Sequence, residues 1–165
     1  MKKIQSIIER LQLEKHPEGG YFREIYRSSE ILKQQALDNR YSGDRNYSTS
    51  IYYLLPGNSI SRFHRLKSDE TWHFYLGSTL ILHCINELKG YYRIKLGGNF
   101  SENEILQFTI HYGDWFAAEV SDKKSYSLTG CTVAPGFSFQ DFEFAVQDEL
   151  SLKFPELKDL IIKFT

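Results

Sequence analysis

Gly57-Asn58-Ser59-Ile60-Ser61-Arg62-Phe63-His64-Arg65-Leu66-Lys67-Ser68-Asp69-Glu70-Thr71-Trp72-His73-Phe74-Tyr75-Leu76-Gly77 is the stretch from which the fold is read. One apolar-rich run, Ser59 to His64, leads into a short charged turn, and a second run, Thr71 to Leu76, follows it. Two strands joined by a turn bring residues from both into one sheet. An imidazole at 64 and a carboxylate at 70 then fall close together. Such a pair has the chemistry either to hold a metal or to move a proton.

Similar runs, rich in Tyr, Ile, Phe and Val, recur at 47–55, 79–86, 90–96, 105–110, 114–119 and 124–133. Turn residues separate them, among them Pro56-Gly57-Asn58, Gly97-Gly98-Asn99 and Tyr112-Gly113-Asp114. Many short strands at this spacing predict a sandwich or barrel, not alternating βαβ units. Tyr21 to Ser28 alternates as a strand does, and 137–144 adds one more candidate. Ile4, Ile7, Ile8 and Leu11 recur at helical spacing and predict a helix over 2–13. It ends at His16-Pro17-Glu18-Gly19-Gly20, which reads as a helix-to-strand turn. Residues 29–45 are polar and carry no clear period, as in a loop or flap. Residues 147–164 read as helical, with Pro155 able to start a second helical piece.

The 165 residues fit one domain, 1–165, with the β region over about 20–145. A formal charge of −1 gives no electrostatic case for nucleic acid or anionic membrane as a partner. No apolar run approaches a membrane span. Met1 to Arg10 lacks the apolar core of a secretion signal, so a cytoplasmic location is expected. Cys84 and Cys131 sit in apolar runs and read as reduced core thiols. There is no phosphate-binding loop, no nucleophile elbow and no basic stripe.

The central stretch resembles the first motif of the cupin superfamily. That motif reads Gly, five residues, His-x-His, three or four residues, Glu, six residues, Gly. Here Gly57 is followed by six residues, then His64-Arg65-Leu66, three residues, Glu70, six residues and Gly77. The differences are one extra residue and Leu66 in place of the second His. His16 to Glu24 with Arg27-Ser28, Ser61 to His73, Gly113-Asp114-Trp115-Phe116-Ala117-Ala118 and Cys131 to Phe137 narrow the resemblance to the Cupin_5, or DUF985, family. The resemblance implies an all-β cupin jelly roll, here with a helix at each end. It also supports a homodimer, as do the open edges that such sheets leave.

Many cupins hold a metal with three His and one Glu. In this chain Leu66 cannot ligate, and Phe116 falls where the last His is expected. No cofactor is therefore expected. If a divalent metal were held, His64 and Glu70 would be its ligands. Strand alternation puts Glu70, Trp72 and Phe74 on one face and His73 on the other. The deoxysugar epimerases that this family resembles in shape use a His base and a Tyr acid without metal. On that pattern His64 is the base and Glu70 its orienting partner. Tyr53, Tyr21 and Tyr75 all remain open as the acid. Arg23 and Arg62 are candidates to hold an anionic or polar substrate. Trp72 and Trp115 are candidate walls against a sugar ring, although each taken singly also fits a core position. His16 and His83 carry no functional argument, and His111 lies beside a turn. The expected function is a small-molecule pocket for a sugar-like or other polar carbonyl compound, with epimerase or isomerase chemistry. The alternatives are a non-catalytic binder and a metal enzyme with an incomplete ligand set.

Overall fold

The computed structural model describes residues 2–165. The chain opens with α1 (Lys2–Leu11), β1 (Glu14–Lys15), β2 (Tyr21–Arg27), β3 (Ile31–Leu32), β4 (Arg45–Asn46) and β5 (Thr49–Pro56). It continues with β6 (Ile60–Leu66), β7 (Asp69–Gly77), β8 (Leu80–Asn86), β9 (Gly90–Leu96) and β10 (Gln107–Ile110). It closes with β11 (Trp115–Val120), β12 (Tyr126–Ala134), β13 (Phe142–Phe144), α2 (Gln147–Lys153) and α3 (Lys158–Phe164). A six-stranded sheet, β1-β2-β5-β12-β7-β10, faces a five-stranded sheet, β13-β6-β11-β8-β9, and all ladders within them are antiparallel. This is the expected jelly roll with helices at both ends.

The two-residue period of the strands sorts the side chains into layers. Leu80, Leu82 and Cys84 of β8 and Phe116, Ala118 and Val120 of β11 point between the sheets. They meet Tyr53, Trp72, Cys131 and Val133 from the other sheet. Their alternates, Ile85, Trp115 and Ala117, point outward with Phe63 and are covered by Leu150, Phe154, Ile161 and Phe164 of the C-terminal helical segment. On the opposite outer face, Ile4, Ile7, Ile8 and Leu11 of α1 pack on Leu13, Leu54, Tyr126 and Leu128. Burying each such large apolar side chain contributes about 1.5–3 kcal/mol. The helix stops short of the expected residue 13. Gln12 adopts a left-handed conformation at φ 54°, and the Leu13 amide closes back on the Ile8 carbonyl at 2.9 Å.

Residues 29–45, expected as a loop or flap, are tied down. β3 and β4 pair as a small hairpin through Ile31 with Asn46 and Leu32 with Arg45. The Arg45 guanidinium donates through Nε and one Nη to both oxygens of Asp141, each at 2.6 Å, with both side chains 3% exposed. Tyr41 and Ser68 hydroxyls meet at 3.0 Å, and Arg40 Nε donates to the Lys67 carbonyl at 2.8 Å.

A buried pair costs most when one partner is removed, because the other charge is stranded. Asp141→Ala should therefore lower the unfolding free energy by about 3–5 kcal/mol in urea titrations. The double variant Arg45→Met, Asp141→Leu should recover most of that loss. A double variant as unstable as the single one would show that the ion pair is not what holds the hairpin.

Candidate functional site

Between the sheets lies a cavity of about 440 Å³, within the size range of small-molecule pockets. Its floor is formed by His16, Glu18, Tyr53, Glu70, Trp72 and Cys131. Phe22, Ile51, Val133, Phe137 and Phe142 line its sides. Glu24, Arg27, Asp44, Arg45 and Asn46 stand toward its mouth with residues 138–140.

Glu18 reaches the floor because of the turn that carries it. Gly19 and Gly20 both take positive φ, at 122° and 70°. A Cβ on Gly19 would run into the Ile60 carbonyl, and one on Gly20 would stand 2.7 Å from the Leu54 carbonyl. Only glycine allows the chain to cross so close to β5 and β6. The Arg62 amide donates to the Glu18 carbonyl at 3.0 Å, and Ser61 Oγ donates to Glu18 Oε1 at 2.9 Å. The second carboxyl oxygen, Oε2, lies 3.0 Å from His64 Nε2.

The hydrogen bonds fix the proton count of this pair. His64 Nδ1 lies 2.7 Å from the Arg62 carbonyl. A carbonyl only accepts, so Nδ1 carries the hydrogen. Nε2 is then either a lone pair facing a protonated Glu18 or an N–H facing a carboxylate. Burial pushes His64 down to about 4 and Glu18 upward, so both causes favour the neutral form with the proton on Glu18. The imidazole is held between two rings, with Phe116 at 4.1 Å and Phe142 stacked at 5.0 Å. His16 stands beside the pair, its Nδ1 accepting from the Glu18 amide at 3.3 Å, and burial lowers its pKa too.

Glu70 is the second carboxyl of the floor. Trp72 Nε1 donates to its Oε2 at 3.0 Å, as two residues on one strand face can. Burial pushes it up to about 8. It is mostly protonated at neutral pH.

The sequence expectations meet this geometry unevenly. Tyr53, Glu70 and Trp72 line the cavity, and His64 sits behind its floor. Glu70 is not the hydrogen-bond partner of His64, whose two ring nitrogens are taken by Arg62 and Glu18. The partner comes from the Gly-Gly turn, where no strand pattern announces it. Tyr53 donates its hydroxyl to the Gly19 carbonyl at 2.8 Å, and burial raises its pKa further, so it is a poor proton donor. Tyr21 packs under α1, and Tyr75 is exposed beside Tyr52. Arg23 points away from its neighbour Phe22 and donates to the Leu11 carbonyl at 3.2 Å. Arg62 sits where the β6–β11 register slips; it donates to the Pro17 carbonyl and lies over the Phe144 ring. Trp115, one residue from Phe116, is on the outer face under the helices. The pattern failed for Arg23 and Trp115 because pocket-facing and outward-facing residues alternate, and for Arg62 because the register slip turns it out of the face it would share with His64. Arg27, Arg45, Asn46 and Phe142 were missed, as were His16 and Glu18. The His16-Pro17-Glu18-Gly19-Gly20 string was the available signal for those last two.

The residues do not fit a cupin metal centre. Leu66 is part of the apolar core, and Phe116 pairs with His64 across the β6–β11 ladder with its ring against the imidazole. Both His64 nitrogens are engaged by protein groups. Among the described residues, no group of three or more His, Cys, Asp or Glu is arranged to hold a metal ion.

A two-sheet jelly roll with its pocket between the sheets, and a strand pair carrying His64 and Glu70, defines a cupin. The chain belongs to the Cupin_5 family, described as Cupin superfamily (DUF985), whose model matches residues 5–145. It is 31% identical to the uncharacterised protein YML079W of Saccharomyces cerevisiae, over 89% of this chain and 78% of that one. Its structure is similar to that of a hypothetical protein from Leishmania major, with a TM-score of 0.89 and 35% identity over 98% of this chain and 97% of that one. A protein from Shewanella oneidensis is similar at a TM-score of 0.85 and 35% identity, over 98% and 96% of the two chains. No helix among the described residues is long and apolar enough to cross a membrane.

The raised pKa of Glu70 has a consequence for stability. The folded chain keeps this proton from about 4.3, where the unfolded carboxyl ionises, up to about 8. Its contribution is full below that window and is lost as pH rises through it. His64 acts oppositely, adding stability as pH rises from about 4 toward 6.5. Between pH 6.5 and 8.5 the carboxyl contribution therefore dominates, and stability should fall by about 1–2 kcal/mol. Glu70→Gln, which keeps an acceptor for Trp72, should make that fall shallower in denaturation at the two pH values, the other raised carboxyl, Glu18, sustaining the remainder. An unchanged slope would place the titrating group elsewhere.

Proposed function

We propose that this protein transfers protons on a small, sugar-like carbonyl compound bound between the sheets, as an isomerase or epimerase that needs no metal. The observation that carries the reading is a pair of buried carboxyl groups facing one cavity, Glu18 against the His64 imidazole at 3.0 Å and Glu70 accepting from the Trp72 indole at 3.0 Å. Glu18 shares a single proton with His64, so the pair can accept a second. Glu70 is a protonated acid near neutral pH and can give its proton away.

The chemistry balances without an outside reagent. As the Glu18 proton passes to His64 Nε2, the freed carboxylate takes a proton from the carbon beside the ligand carbonyl. Glu70 delivers its own proton to the carbonyl oxygen. The ligand becomes a neutral enol, the Glu18–His64 pair gains one positive charge, and Glu70 becomes a carboxylate. Return of a proton to carbon gives the isomer or epimer. The aromatic lining, Trp72 in the floor and Phe22, Phe137 and Phe142 at the sides, suits the apolar face of a sugar ring. A pairing of two copies through the exposed part of β2, where Ile25 and Tyr26 lie open, accompanies this reading. Light scattering at twice the monomer mass would support it.

The test is deuterium uptake from heavy water into candidate ketoses and deoxyketo sugars, followed by proton NMR. Glu70→Gln and His64→Ala should each slow exchange by about 10²–10⁴. In the wild type, turnover should fall as pH rises above about 8, where Glu70 loses its proton. Ligand-dependent thermal stabilisation with no exchange in any protein would mark a binder instead.

A further inference from the structure

The cavity contains two arginines, yet neither offers its charge to a ligand. Arg27 donates through Nε and one Nη to the two Glu24 oxygens at 2.9 and 2.7 Å. Its other Nη donates to Asn46 Oδ1 at 2.8 Å and to the Phe137 carbonyl at 3.2 Å. Arg45 is held by Asp141 through two nitrogens and donates through the third to the Asp44 carbonyl at 2.8 Å. All three nitrogens of each guanidinium are therefore engaged, and each is neutralised by a carboxylate in the two-point geometry that binds it best. Asn46 is occupied as well, its amide donating to the Ser28 carbonyl at 2.8 Å. His16 is the remaining basic side chain among the described residues that line the cavity. Its Nδ1 already accepts from the Glu18 amide.

We infer that the site selects an uncharged ligand, a free carbonyl sugar or polyol, over its phosphorylated, nucleotide-linked and carboxylate relatives, because both cavity arginines are neutralised within the protein and the floor presents the carboxyl groups of Glu18 and Glu70. The inference rests on the proton-transfer reading for the place and kind of ligand. An anion entering the cavity would have to displace Glu24, tethered three residues from Arg27, and then lie facing Glu18 and Glu70. A neutral hydroxylated ring meets carboxyl groups that both accept and donate hydrogen bonds, and aromatic faces beside them. Arg23 and Arg62, the sequence candidates for holding an anionic or polar substrate, do not line the cavity.

The test is titration calorimetry with matched sets: neutral ketoses, aldoses and deoxyketo sugars, each beside its phosphate ester and its uronic acid. Wild-type protein should bind the neutral member of a set more than about tenfold tighter than its charged relatives. Glu24→Gln releases Arg27 at a partly exposed position and should bring the phosphate esters about tenfold closer to the neutral parent. Inorganic phosphate should raise the melting temperature of Glu24→Gln more than that of the wild type. A phosphate or carboxylate relative that binds the wild type as tightly as its parent overturns the inference and leaves the proton-transfer reading standing. A gap that Glu24→Gln leaves unmoved also overturns it, by removing arginine neutralisation as the cause. If no neutral member binds or exchanges deuterium, the inference and the reading beneath it fail together.

Discussion

A carboxyl group held against an imidazole in a buried wall is the constraint around which the site is arranged. Glu18 and His64 have one proton between them, and each is too deeply buried to ionise alone at little cost. Everything near them serves that contact. The glycine turn brings Glu18 against β6, Ser61 satisfies its first oxygen, and the Arg62 carbonyl fixes the imidazole hydrogen. Phe116 and Phe142 hold the ring in place. Because the pair is neutral as a whole, it survives burial without a counter-ion, which a lone carboxylate there would need. A second proton would give the pair a positive charge, which in the proposed reaction is balanced by the Glu70 carboxylate formed in the same step across the cavity.

Much of the fold was legible in the sequence. The alternating runs from 47 to 133 became strands within a residue or two of their expected limits, since a half-buried strand must repeat every second residue. The helix ends were less legible. α1 stopped at a left-handed Gln12 that no propensity rule singles out. Residues 29–45 looked unstructured because their order comes from outside them. Asp141, Ser68 and the Lys67 carbonyl hold Arg45, Tyr41 and Arg40, and no local pattern carries that information.

The site was legible in its parts more than in its wiring. Tyr53, Glu70 and Trp72 line the cavity, and His64 backs it, because strand alternation together with the family motif points at those positions. The partner of His64 was misread, since proximity in sequence favoured Glu70 and the three-dimensional contact went to Glu18, far earlier in the chain. Arg23 and Trp115 share the chemistry of pocket residues but occupy the wrong parity of their strands. Arg62 is displaced by a local slip in register, and a single extra residue against the usual cupin spacing gave no indication of where that slip would fall.

The Arg45–Asp141 contact also bears on how the protein comes into being on the ribosome. Arg45 is synthesised long before its partner, and its hairpin cannot be sealed until the segment around Asp141 has emerged. The floor has the same long span, with Glu18 near the start of the chain and Cys131 late in β12. A nascent chain can therefore pair its early strands while the pocket is still unformed and a basic group waits uncovered. A translation product that ends before Asp141 would expose that group, along with strand edges for chaperones and proteases to recognise. The pocket is therefore complete only when residues from His16 to Phe142 have all been brought together.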